Sequence, residues 1–166
     1  MQKTWMSCLV LAALFTTTAN ASVINYSSRY SAAGPLASGA AYKSLIDGLT
    51  SNAATAGYCD AALSSFSNIS NQGVCGGSNQ NVAFHFQMLF GVAPTEAGSW
   101  AFRAGVDFGH GGAMFLDGNV IDLDTSDLWW NGSYGNTGDI LAASGLNLAS
   151  GNHVLDIYGL EGCCDG

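Results

Sequence analysis

Charge is scarce in this chain, and positive charge scarcer still. Charged residues make up 10% of the 166, against about a quarter in a typical soluble domain. Lys and Arg number 4 against 12 Asp and Glu, a formal charge of −8. Such a surface repels a phosphate backbone, which argues against nucleic-acid binding. It disfavours an anionic membrane surface on the same ground. The sequence has no C-x-x-C, and its three histidines (His85, His110, His153) are scattered, so no zinc pattern exists. There is no internal repeat, and one domain is the default for this length. With so few charges, solubility rests on Ser, Thr, Asn and the 22 glycines. That profile suits an extracellular β protein better than a cytosolic enzyme.

The N-terminus reads MQKTWMSCLVLAALFTTTANAS. Lys3 supplies a positive n-region, WMSCLVLAALF an apolar h-region, and Ala19-Asn20-Ala21 a small-x-small cleavage signal. The apolar run is too short to span a bilayer comfortably. Residues 1–21 are therefore expected to be a signal peptide, leaving a mature chain from Ser22 with no stable membrane span. Loss of Lys3 takes the charge to −9. Cys8 leaves with the leader, and Cys59, Cys75, Cys163 and Cys164 remain. An even count in an oxidising compartment predicts disulfides, and four cysteines allow three pairings.

Residues 22–80 are rich in Ser, Ala, Gly and Asn. AAYKSLIDGL (40–49) and CDAALSSF (59–66) carry weak helical spacing, with Gly48 a stop for the first. SNISNQGVCGGSNQN (67–81) is loop chemistry. The segment holds too few apolar side chains to fold alone. It reads as a loop-rich, partly helical stretch packed on a sandwich formed by residues 81–166.

From residue 81 the period becomes two. In NVAFHFQMLFGVA the even positions Val82, Phe84, Phe86, Met88 and Phe90 are apolar, and SWAFRAGVD repeats this with Trp100, Phe102, Ala104 and Val106. Alternation of this kind marks a half-buried strand. AMFLDGNVIDL joins two apolar runs through Asp117-Gly118, a strong hairpin signal. HVLDIYGLE reads as a strand with Leu155 and Ile157 inward. No convincing helical period follows residue 80. Strands in succession with Gly/Asn turns predict an all-β, antiparallel sandwich or barrel.

GSWAFRAGVDFGHGGAMFLDG, DLWWNG and GNHVLDIYGLEGCCDG together resemble the bacterial CCXG family of exported proteins, whose members commonly carry a PEP-CTERM sorting tail. More distantly, the order of elements is similar to the protective-antigen-like β-sandwich, which includes the flocculin lectin domains. The resemblance covers roughly residues 80–166, about half the chain. It implies a sandwich whose neighbouring C-terminal cysteines clamp the N-terminal segment, so that Cys163 and Cys164 each pair with Cys59 or Cys75. Two such bridges would each restrict the unfolded chain by about 4–5 kcal/mol. The rival pairing is Cys59–Cys75 with Cys163–Cys164. The resemblance also implies a further strand beyond Gly166, so the sequence is read as stopping short of the last strand.

For calcium, the same resemblance aligns Gly109 and His110 with an aspartate pair that binds the ion in related lectins. A Gly-His pair does not supply those carboxylates. Asp117, Asp122, Asp124 and Asp127 form an acidic stretch without EF-hand spacing, better read as a turn and a solvated strand end than as a calcium loop. LWWNGSYGN places Trp129, Trp130 and Tyr134 beside Asn131. Sugars stack on aromatic rings while polar side chains take their hydroxyls, and alternation sends the two tryptophans to opposite faces. His110-Gly111-Gly112 is similar to an esterase oxyanion loop, but no G-x-S-x-G follows, since NGSYG has Asn131 where the first glycine belongs. The expectation is a secreted, non-enzymatic surface or matrix protein with no cofactor. It binds a glycan or exopolysaccharide through Asp107, His110, Trp130 and Asn131 at a loop end. The alternatives are a structural envelope protein without a small ligand and, further off, a secreted hydrolase.

Overall fold

The computed structural model describes residues 23–163. The leader read over residues 1–21 and the role of Cys164 fall outside them. The described chain runs β1 (Val23–Tyr30), α1 (Gly39–Thr50), β2 (Asp60–Leu63), α2 (Asn71–Cys75), β3 (Val82–Val92), β4 (Gly98–Gly105), β5 (Gly112–Leu116), β6 (Asn119–Asp124), β7 (Ile140–Leu148) and β8 (Gly151–Glu161). The strand pairings between these elements are antiparallel. They build a six-stranded sheet in the order β2-β1-β3-β8-β5-β6 and a two-stranded sheet β4-β7. The expected all-β, sandwich-like architecture is what the chain adopts.

The alternation in β3 explains the layers. Val82, Phe84 and Phe86 share one buried cluster with Tyr26, Met114 and Ile157 of the large sheet and with Ala104 and Leu141 of the small one. Burying each large side chain of this kind contributes about 1.5–3 kcal/mol. The small sheet covers only part of this inner face. Another part is covered by the residues flanking β2 and by α2, through Tyr58, Phe66, Ile69, Val74 and Cys75. On the outer face, Ala83, Ala113, Phe115, Tyr158 and Leu160 pack against Tyr42 and Ile46 of α1. Two covered faces are why β5 is buried along its whole length.

Three expectations need correcting. α1 does not stop at Gly48 but runs to Thr50. The buried Arg29 guanidinium donates to the Thr50 and Asn52 carbonyls, so the helix end is capped by a strand residue. Nη1 and Nη2 also donate to the two Asp60 carboxylate oxygens, and that hydrogen bonding holds the Asp60 carboxyl below its ordinary value. CDAALSSF contains no helix: Asp60–Leu63 is an edge strand paired with Ile24–Ser27 of β1, where ladder hydrogen bonds outweigh weak helical spacing. SNISNQGVCGGSNQN is not all loop either, because Ser70 caps the short helix α2.

The implied clamp is also overturned. Cys59 bonds Cys75, with 5.5 Å between their Cα atoms, and Cys163 is itself disulfide-bonded. The reason is local. Asn71, fully buried, donates to the Gly57 and Ser78 carbonyls, drawing the two ends of the segment together. Its carboxamide oxygen accepts from Tyr26 Oη and Ser28 Oγ of β1. Burial pushes the Tyr26 phenol up to about 12, so it remains a donor.

The Asp117-Gly118 hairpin forms as read, with φ of 50° and 78°. Asp117 accepts from Val154 N at 2.9 Å and meets His153 Nδ1 at 2.7 Å, while His153 Nε2 meets the Ala149 carbonyl at 2.9 Å. Both ring nitrogens face acceptors, so the doubly protonated imidazole fits best. The Asp117 hydrogen bond raises the His153 pKa. Partial desolvation opposes it, but His153 and Val154 N–H hold the Asp117 carboxyl below its ordinary value. The raised His contribution is complete below the unfolded pKa and lost as pH rises through the folded one. The lowered Asp contribution is complete above the unfolded pKa and lost as pH falls. This pair is therefore fully effective between about pH 4 and 6.5. Urea unfolding should show the wild type losing more stability than His153→Ala between pH 6 and pH 9; equal losses would contradict the assignment.

Candidate functional site

The loop end after β4 is shaped by glycines. Phe108 bridges to Leu128, donating to its carbonyl at 2.9 Å and accepting from its N–H at 3.2 Å. This pairing holds the 128–131 stretch beside residues 106–110. The Phe108 ring lies over Gly112 and Gly159, which face each other across β5 and β8. A Cβ on Gly159 would stand 2.1 Å from that ring, and one on Gly112 2.8 Å. The ring also stacks on Phe84, centroids 5.7 Å apart. Two missing side chains thus make the dent that seats Phe108.

The Gly109-His110-Gly111 turn is fixed from below. His110 N donates to the Leu160 carbonyl at 2.9 Å, and Leu160 N to that of Gly111 at 3.1 Å. Tyr42 Oη donates to the His110 carbonyl at 2.5 Å. Gly111 has φ +72°, and a Cβ there would meet the Asp124 carbonyl at 2.4 Å. The carboxylate of Glu161, 3% exposed, accepts from Gly109 N and Cys163 N, each at 2.6 Å. His110 Nδ1 lies 2.9 Å from the Ala33 carbonyl. A carbonyl only accepts, so Nδ1 carries a proton.

Two clefts open at this end. The first, about 300 Å³, lies over Phe84 and Phe86, with Phe66–Ile69 on one wall, Val106, Asp107 and Phe108 on another, and Trp130 and Tyr134 closing it. Trp130 packs over Gly105, where a Cβ would come within 2.2 Å of the indole, and lies 4.7 Å from the Tyr134 ring. The second, about 420 Å³, is lined by Asp107, Gly109, His110, Asp127, Trp129, Glu161, Gly162 and Cys163. Both volumes fall in the range of small-ligand sites.

Of the residues singled out in the sequence, Asp107 borders both clefts, His110 the second and Trp130 the first. Asn131 lines neither; its side-chain oxygen accepts from Ser133 N at 3.1 Å within an exposed turn. The tryptophans do diverge, one to each cleft, and Trp129 is 60% exposed. Phe66, Asn68 and Glu161 had no signal in the sequence, because strand pairing and the Asn71 hub bring them here from distant positions. The acidic stretch does not converge. Asp117 holds the hairpin, Asp122 accepts from Ala142 N and Leu123 N, Asp124 accepts from Ser126, and of the four only Asp127 lines either of these two clefts. Among the described residues, no group of three His, Cys, Asp or Glu side chains is placed to hold a metal ion. No helix among them is long and apolar enough to cross a membrane.

No protein-family model, curated protein or solved structure matches this chain.

Proposed function

We propose that this is an exported, non-enzymatic surface or matrix protein whose loop end binds a glycan. The observation that carries the reading is the first cleft, where Trp130 and Tyr134 stand beside Asp107 above a floor of Phe84 and Phe86. Aromatic faces with a few polar groups at the rim match the apolar faces and hydroxyls of a sugar. Export is supported by the leader-like N-terminus and by the Cys59–Cys75 bridge, which suits an oxidising compartment. The resemblance to CCXG-type exported proteins points the same way.

One observation favours the structural alternative. Trp130 covers Gly105, as a purely packing indole would. A glycan array probed with the oxidised protein separates the readings. Reproducible hits that compete with soluble sugar are expected; a blank array from protein with a sharp thermal transition would select the envelope protein without a ligand.

A further inference from the structure

We propose that the two clefts are adjoining subsites for neighbouring residues of one neutral glycan chain, an inference that rests on the glycan-binding reading above. The clefts share a wall, because Asp107 borders both. Each also receives one of two consecutive indoles, Trp130 the first and Trp129 the second. Leu128, fully buried and bridged to Phe108, anchors the pair just before it leaves the core. Packing accounts for Trp130 over Gly105 but not for Trp129, which leaves 60% of its surface in water. An exposed indole beside an open cavity is a platform awaiting an apolar face.

The polar groups set the class of ligand. Along the second cleft Asp127 supplies a carboxylate acceptor and His110 a ring edge whose Nδ1 is held by the Ala33 carbonyl, while Glu161 is engaged by two backbone N–H groups. Arg103, stacked 5.0 Å over the Tyr134 ring, lines neither cleft. Among the described residues neither cleft is lined by Lys or Arg, and carboxylate-lined clefts of this kind suit hydroxyl donors and repel uronates and sulfates. The ligand is thus a neutral oligosaccharide, and the shortest full occupant is a disaccharide.

Calorimetric titration of the oxidised protein tests this with glucose and N-acetylglucosamine monomers, dimers and trimers, and with galacturonic acid dimers as the anionic probe. The dimer of at least one neutral series should bind roughly tenfold more tightly than its monomer, with the trimer adding less than about threefold. Trp129→Ala and Trp130→Ala should each weaken the dimer by about tenfold. A monomer that binds as tightly as its dimer would overturn the two-subsite inference alone. So would Trp129→Ala leaving dimer affinity within about twofold of wild type, or the uronate dimer binding best. Failure of every neutral sugar to bind folded protein would remove the glycan reading as well.

Discussion

Gly159→Ala should destabilise the protein by about 3 kcal/mol, a loss of roughly 6–12 °C in Tm for a chain of this size. Nothing about the backbone of β8 requires glycine there; the space does. The added Cβ would stand 2.1 Å from Cε2 of Phe108, whose ring is 3% exposed and stacked on Phe84. The ring has no retreat, since Gly112 forms the other half of its seat. Either Phe108 leaves the core or β5 and β8 separate, and both outcomes displace Asp107 and the His110 turn. Coupling to Phe108 distinguishes this from a general strand effect. In a Phe108→Ala background the same substitution should cost less than about 1 kcal/mol more. An undiminished cost in that background would show that the clash lies elsewhere.

The second large effect is expected at Asn71. Removing its side chain strands the Gly57 and Ser78 carbonyls and the hydroxyls of Tyr26 and Ser28. At about 1 kcal/mol for each lost partner, Asn71→Ala should cost about 3–4 kcal/mol with the disulfide intact. The bridge closes only a short loop, with a sequence separation of 16, for which the chain-entropy model gives about 3 kcal/mol. The amide is therefore as important as the disulfide in holding the 57–78 segment on the sheet. Because Phe66–Ile69 form a wall of the first cleft, limited proteolysis of the variant should cut this segment first. Cleavage no faster than in wild type, with a loss under about 1 kcal/mol, would mean the segment is held by its apolar contacts alone.

Much of the fold was legible because it depends on neighbours in sequence. The alternation of β3, the inward Leu155 and Ile157, and the Asp117-Gly118 turn need only a period and a dipeptide, and each is found as read. β7 went unread because polar Ser144 and Asn147 interrupt its pattern, and because it bulges at Ser144-Gly145, with Gly145 at φ +71°, where two of its residues oppose Ala101 of β4. β2 looked helical because four residues at a sheet edge are too few to show a period. The cysteine pairing and the site share a different difficulty. Cys59 meets Cys75 because a buried amide gathers the loop ends, and Phe108 finds its seat because Gly112 and Gly159, far apart in sequence, face each other across two strands. The residues around Asp107 could be suspected from their chemistry. Which cleft each one lines was decided by that seating, and no spacing in the sequence encodes it.

The claim that the loop end is the ligand-binding end is tested most directly by the indole N–H resonances of the protein from Ser22 onward. Three tryptophans remain there, Trp100, Trp129 and Trp130. Trp100 serves as an internal control, because its Nε1 donates to the Glu96 carbonyl near the start of β4, away from both clefts. On titration with neutral glucose and N-acetylglucosamine oligosaccharides, the Trp129 and Trp130 resonances should move together and saturate while Trp100 stays in place. Movement of Trp100 alone, or no movement of any indole across the series, would contradict the account.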